Sequence, residues 1–166
     1  MKFLFYLVFI LVLMASCSQV YFTTPQPQKG FIVKSFMNEI QGVYADSTLE
    51  VELKKNDLIV SGDHYKLTSK VPVENEVLIR FYKDFYFASF SDSVHYMVVM
   101  AKFYENKLAL YQLSADELSV SRLKKIIHVE VLDSIVNTYL IDPSNKTFDQ
   151  LIDEEMFSVV NVLEKK

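Results

Sequence analysis

The sequence predicts an α+β protein that is mainly β, with an antiparallel meander sheet or a small barrel and two short helices toward the C-terminus. Three observations support this prediction. Apolar and polar residues alternate through the middle of the chain, as they do in half-buried strands. Turn signals recur about every ten residues, which is typical of strands in a meander. Two later stretches instead carry apolar residues at helical spacing.

The first sixteen residues have the composition of a secretory signal. Lys2 precedes an apolar run from Phe3 to Leu13, and Ala15 and Ser16 are small. The run is too short for a transmembrane helix, which needs about 20 apolar residues. A charged start, a short apolar core and a small-residue exit are typical of an export signal. We therefore expect residues 1–16 to be a signal peptide.

Cys17 is the only cysteine of the chain. The stretch "LMASC" that ends at Cys17 resembles the lipobox of bacterial lipoproteins, with Met14 where leucine is usual. The resemblance implies a thioether-linked diacylglycerol on Cys17, cleavage just before it, and acylation of the new amine. It also implies a membrane-anchored envelope protein, which we expect in the outer membrane facing the periplasm. Two or three acyl chains hold a protein firmly, since each buried methylene contributes about 0.8 kcal/mol.

Residues 17–30 are interpreted as the lipidated cysteine and a flexible tether. The prolines of "TTPQPQKG" favour an extended polyproline form, which could hold a domain roughly 30–40 Å from a membrane. The apolar patch Val20–Phe22 lies within this segment, either in the lipid interface or docked on the domain. A single β-rich domain is then expected over residues 31–166.

Alternation defines the strands of this domain. In "TLEVEL", Leu49, Val51 and Leu53 fall on one face and the glutamates between them on the other. One strand is expected between the two helices, over residues 136–141, and a closing strand over residues 157–163. The predicted turns between strands are Lys54–Asp57, Lys83-Asp84, Ser91-Asp92-Ser93 and Glu105-Asn106-Lys107.

The segment Phe81–Phe90 is apolar or aromatic on both faces. One face can pack on the core, whereas the other needs a helix, the tether or a ligand to cover it. We therefore take Phe85, Phe87 and Phe90 as candidates for an apolar ligand or partner face.

Two helix starts are predicted. In "LSADEL", Ser114 and Glu117 form a capping box, with Leu113 and Leu118 spaced as a hydrophobic staple. The apolar stripe that follows comprises Leu118, Leu123, Ile126 and Ile127, with Arg122 at the same spacing.

For the second helix, either Asp142 is the cap, with Pro143 at the first helical position, or Thr147 forms a capping box with Gln150. Its buried face is predicted to comprise Phe148, Leu151 and Ile152.

Composition and spacing argue against several function classes. Removing residues 1–16 takes away one lysine and no acid, so the net charge of −4 becomes −5, and nucleic acid is not expected as a partner. His64, His95 and His128 share no metal-ligand spacing. In a strand, Ser93 and His95 would share a face and the adjacent Asp92 would point away, so a turn is the better interpretation. We expect no cofactor, no metal and no enzymatic activity.

Two further resemblances concern bacteria of the Bacteroidota. The triplets Asp46-Ser47-Thr48, Asp92-Ser93-Val94 and Asp133-Ser134-Ile135 resemble the O-glycosylation motif of their envelope proteins. The "PQP" after Cys17, the "QGVY" and the late "DPS" resemble small uncharacterised envelope lipoproteins of the same group, which implies no activity. The favoured function is thus a lipid-anchored, non-catalytic binding or structural module with a possible envelope protein partner. The alternative is a lipocalin-like carrier of a small apolar ligand.

Overall fold

The computed structural model describes residues 19–62, 65–71, 77–134 and 136–166. Within these residues there are thirteen strands, two α-helices and a 3₁₀ turn at Asn38–Ile40. The strands are β1 (Gln19–Phe22), β2 (Phe31–Ile32), β3 (Gly42–Ala45), β4 (Leu49–Leu53), β5 (Asp57–Gly62), β6 (Tyr65–Lys70), β7 (Val77–Tyr82), β8 (Phe85–Ser91), β9 (Tyr96–Tyr104), β10 (Lys107–Leu113), β11 (Val129–Asp133), β12 (Thr138–Ile141) and β13 (Phe157–Lys165). The helices are α1 (Glu117–Ile126) and α2 (Asn145–Asp153).

All the described strands belong to one sheet, which curls into a half-barrel. Its order is β11-β12-β1-β9-β10-β13-β3-β4-β5-β6, while β8 pairs with β9, β7 with β8 and β2 with β7. Neighbours are antiparallel except β1 and β12, which are parallel. The predicted fold class, a mainly antiparallel β structure with two short late helices, is confirmed.

The predicted turns close the hairpins. Lys83 and Asp84, with φ of 48° and 64°, connect β7 to β8 in the conformation that suits a two-residue hairpin. Asp92 connects β8 to β9, and its Oδ1 accepts the backbone N–H groups of Val94 (3.0 Å) and His95 (2.7 Å). The alternation in β4 is confirmed as well, because its three apolar side chains are buried and the two glutamates are not.

Both helices lie on one face of the sheet, but their N-caps differ from the prediction. Helix α1 is capped by Asp116, whose carboxylate accepts the backbone N–H of Ser119 at 2.9 Å, and Ser114 instead donates to that carboxylate. The predicted cap at Ser114 is therefore wrong, since an ionised acceptor closer to the helix satisfies its free N–H groups. The predicted staple is wrong too, because Leu118 is 73% exposed. The buried residues of this helix are Val120 and Leu123.

Helix α2 is capped by Ser144, which accepts the backbone N–H of Thr147 at 3.2 Å. Neither predicted cap is used, since Asp142 accepts a hydrogen bond from Thr23 and Thr147 lies inside the helix. The predicted buried face is confirmed at Phe148 and Leu151, and Ile152 is partly buried.

The predicted flexible tether is wrong from Gln19 onward, and of the two places expected for the patch Val20–Phe22 the one docked on the domain is found. Residues 19–22 form β1, which pairs with β12 along its whole length and with β9 at Phe22. Gln26 and Pro27 are also buried, and the Ser89 hydroxyl is bonded to both the N–H and the C=O of Gln26, at 3.1 and 2.9 Å. The folded domain therefore begins no later than Gln19. The composition suggested a tether because prolines and glutamines are typical of exposed linkers, whereas here Gln26 and Pro27 are buried.

Candidate functional site

The aromatic strand β8 presents different residues to the two faces of the sheet. Phe85 and Phe87 point to the face that carries the helices, whereas Tyr86, Ala88 and Phe90 point to the concave face of the half-barrel. The separation follows from the two-residue period of a strand. The three phenylalanines predicted as one ligand or partner face are thus divided between two environments.

The helix-covered face is a filled core. Phe87 is completely buried, and its ring lies 5.4 Å from that of Phe148 and 6.2 Å from that of Phe157. Phe85 lies at the margin of the same cluster, where the Lys102 ammonium sits 5.1 Å above its ring. These edge-to-face contacts leave Phe87 no access to a ligand.

The concave face encloses a cavity of about 90 Å³ that is open to solvent. It lies between β4 and β5 on one side and β8, β9 and β10 on the other. Small side chains at Ala88 and Ala101 leave space where their neighbours are large. The lining residues are Phe36, Leu49, Val51, Leu53, Leu58, Val60, Ile79, Tyr86, Ala88, Phe90, Val99, Ala101, Phe103, Leu108 and Leu110.

No charged side chain lines this cavity. Tyr86 carries the single polar side-chain group of the lining residues, and burial raises the pKa of its hydroxyl, with a further contribution from the Glu39 charge. The hydroxyl is therefore neutral at physiological pH. Its ring meets Phe103 edge-on at 5.4 Å, and Phe103 in turn lies 5.5 Å from Tyr44. Such a site offers hydrophobic contact and shape rather than acid, base or nucleophile.

A buried apolar cluster lies beside the cavity, toward β1 and β12. Tyr21, Met97 and Leu140 form a buried cluster with Val99, and Phe90 packs against it. Burial, with the nearby Asp92 charge, raises the pKa of Tyr21 to about 12. The cluster shares Val99 and Phe90 with the cavity wall, so the wall on this side is apolar.

The sequence pointed to Phe90 but not to the other walls of the cavity. Leu49, Val51 and Leu53 were recognised as one strand face, yet nothing local in the sequence says that this face lies opposite β8. The available signal was the pair of alanines, Ala88 and Ala101, since their neighbours on the same face of β8 and β9 are large apolar or aromatic residues.

A second cluster, of charged groups, fastens helix α2 to the β7–β8 turn. The Tyr82 hydroxyl donates to Asp149 at 2.7 Å, and this bond holds the pKa of Asp149 below its ordinary value. Lys83 pairs with Asp153 at 2.8 Å and with Asp149 at 3.7 Å, and Lys29 also lies 3.7 Å from Asp149. The arrangement joins three parts of the chain at a partly exposed surface, which is a structural role.

The residues weighed for catalysis lie in a turn, where Asp92 accepts the backbone N–H of His95 at 2.7 Å and Ser93 is exposed. Within the described ranges, no three histidine, cysteine or acidic residues are placed to hold a metal ion. His64 and Cys17 lie outside the described residues. The serines of the three Asp-Ser triplets, Ser47, Ser93 and Ser134, are all exposed, and the aspartate of each triplet accepts a backbone N–H in a turn between strands.

Compared with protein-family models, with curated proteins and with solved structures, the chain showed no significant match. In the part of the chain that the structure describes, no helix has the length and apolar character needed to cross a bilayer. The open apolar cavity of the half-barrel is the candidate functional site.

Proposed function

We propose that this protein is a lipid-anchored, non-catalytic binding module of the bacterial cell envelope, and that the half-barrel cavity holds the apolar part of a small ligand. The observation that carries the proposal is an open cavity of about 90 Å³ whose lining is apolar and uncharged. A water molecule in such a space finds few hydrogen-bond partners, whereas a hydrocarbon group is favourably transferred into it. This function corresponds to the carrier alternative drawn from the sequence.

The size of the cavity limits what it can enclose. A cavity of about 150 Å³ takes up benzene, so by proportion this one holds about four carbon atoms. Four buried methylenes contribute about 3 kcal/mol, which alone gives an affinity weaker than millimolar. A ligand of useful affinity must therefore extend through the opening, with its polar end outside.

A fluorescent apolar probe tests this site. N-phenyl-1-naphthylamine is titrated into the wild type, into Ala88→Leu, which fills the cavity, and into Leu118→Ala, which trims an exposed leucine on the helix face. We expect Ala88→Leu to weaken binding by at least about tenfold, corresponding to about 1.4 kcal/mol, and Leu118→Ala to leave it unchanged. Equal binding by the wild type and Ala88→Leu would show that the probe binds elsewhere.

The anchor is proposed at Cys17 on the lipobox resemblance, with outer-membrane placement facing the periplasm. Cells expressing the full chain are labelled with a clickable palmitate analogue, alongside cells expressing Cys17→Ala. Labelling of the wild type alone supports the anchor. An unlabelled wild type, or equal labelling of both proteins, contradicts it.

A protein partner remains a second candidate function because one observation favours it. Strand β13 pairs with β3 only at Glu164 and Lys165, so the outer edge of its first seven residues has no strand beside it among the described residues. Val159, Val160 and Val162 on this stretch are 54%, 46% and 41% exposed. Such an edge can accept an added strand from another protein. A photo-crosslinker at position 160 that yields no discrete adduct in cells would count against this function.

A further inference from the structure

The first described residue of the chain lies beside the turn between β11 and β12. Gln19 is paired with Thr138, and its backbone N–H donates to the carbonyl of Asn137 at 3.1 Å. Cys17 precedes Gln19 by two residues, so its Cα is at most about 7 Å from that of Gln19. A lipid on Cys17 is therefore attached next to this turn.

The folded body begins no later than Gln19, so no long flexible segment separates it from Cys17. Val20, Tyr21 and Phe22 are 7%, 8% and 1% exposed, and β1 is hydrogen-bonded to β12 along its length. Lifting the body away from the membrane would require stripping a buried strand out of the sheet. A lipid on Cys17 would therefore hold this end of the folded body close to the membrane surface.

The hairpin at the anchor exposes apolar side chains. Val131 and Leu132 near the end of β11 are 49% and 40% exposed, and Val136 in the turn is 39% exposed. A register shift between Val131 and Asp133 leaves Leu132 out of the ladder. Single exposed apolar residues are ordinary on protein surfaces, but these three lie on the one hairpin that the anchor would hold against lipid. We refer to Val131, Leu132 and Val136 as the tip residues.

Acidic groups on the same hairpin limit how deeply it can enter the bilayer. Glu130 and Asp133 are exposed, and Asp133 accepts the backbone N–H of Val136 at 3.3 Å. Carboxylates are strongly disfavoured in hydrocarbon, so the hairpin can enter the headgroup region but no further. Anionic lipid would repel Glu130 and Asp133, so a neutral lipid surface suits this hairpin.

The geometry points to a membrane-contact surface at the β11–β12 turn, in which the tip residues rest in the headgroup region of the bilayer that holds the lipid on Cys17. This inference rests on the proposed lipid anchor and goes beyond it by assigning an orientation. The partner is a neutral lipid surface. The folded body is thus expected at the membrane surface, and not at the distance that a tether over residues 18–30 would give.

Because the chain contains no tryptophan, single tryptophans can report depth. The full lipidated chain is reconstituted in phosphatidylcholine vesicles with or without bromine near the carbonyl end of the acyl chains, as Val136→Trp, Leu132→Trp and Val94→Trp. Val94 is the control, because it is 69% exposed and lies in the β8–β9 turn. That turn is at the opposite end of β1 from Gln19, since Phe22 pairs with Tyr96 at the start of β9.

We expect bromine to quench tryptophan at positions 132 and 136 and to leave tryptophan at position 94 unaffected. Flotation of the vesicles tests the lipid anchor separately from the contact surface. If the wild-type protein does not float with them, the anchor and the contact surface both fail. If the protein floats but neither tip variant is quenched, or all three variants are quenched alike, the contact surface fails while the anchor stands. Two tip variants are used so that misfolding of one does not decide the outcome.

Discussion

Replacing Ala101 by valine tests whether the concave face really holds space. Ala101 lines the cavity from the middle of β9, and valine would add two methyl groups to it. At about 0.8 kcal/mol per buried carbon the gain cannot exceed about 1.6 kcal/mol. The cavity is open on one side, so we expect about 1 kcal/mol of added stability. The same substitution should weaken binding of the naphthylamine probe, because it occupies part of the site.

Ala109 provides the matched control. It lies on the neighbouring strand β10, is 1% exposed, and does not line the cavity. Ala109→Val makes the same chemical change with the same gain in β-propensity, but in packed surroundings, where overpacking costs about 1–3 kcal/mol.

Urea unfolding measures both variants, with the midpoint compared at constant slope. The two free-energy changes are expected to have opposite signs and to differ by at least about 2 kcal/mol. If Ala101→Val is destabilised as much as Ala109→Val, the concave face is as tightly filled as the helix-covered face. The ligand proposal would then lose its basis.

Three further outcomes are expected. Asp116→Ala should cost about 1 kcal/mol in urea unfolding, because it removes the cap of α1, whereas Ser114→Ala should cost less than about 0.5 kcal/mol; the reverse order would contradict the assignment of the cap. The pKa of Asp149 is lowered from its ordinary value of 3.8, chiefly by the hydrogen bond from Tyr82, so its contribution to stability is complete above that value and is lost as the pH falls through the lower folded-state pKa. Asp149→Asn should therefore be less stable than the wild type near neutral pH, with the difference shrinking in acid, and a difference that does not change with pH would refute this reasoning. Finally, a fragment of residues 31–166 lacks β1 and should show no cooperative thermal transition by circular dichroism, unlike a fragment that starts at Gln19; equal transitions would mean that β1 is dispensable.

Local patterns in the sequence predicted what is local in the structure. Leu49, Val51 and Leu53 gave a strand face because alternation is a property of consecutive residues, and Lys83-Asp84 gave a turn between two such runs. The cap of α1 was misplaced although it is local. Ser114 and Asp116 both offer a suitable oxygen, and the choice depends on where the first helical turn begins.

The parts that the sequence did not predict depend on distant partners. Residues 19–22 look like a short apolar patch in a polar segment, and only their pairing with β12 makes them a strand. The cavity likewise depends on residues that are far apart in the sequence. Phe90 could be named from its own strand, but the opposite wall belongs to β4 and β5, and the fact that the two walls face each other is a property of the curled sheet.

The position of β1 also bears on how the protein is made. Its neighbours come very late in the chain: Thr23, just after β1, donates to Asp142, which follows it by 119 residues. For a chain exported amino terminus first, β1 leaves the translocation machinery long before residues 138–141 do. It must then wait, extended and apolar, beside a β9 edge that is not yet covered. Closing so long a loop is entropically costly, and folds rich in such distant pairings form slowly. The end of the protein nearest its proposed anchor is thus expected to be the first part delivered and the last part folded.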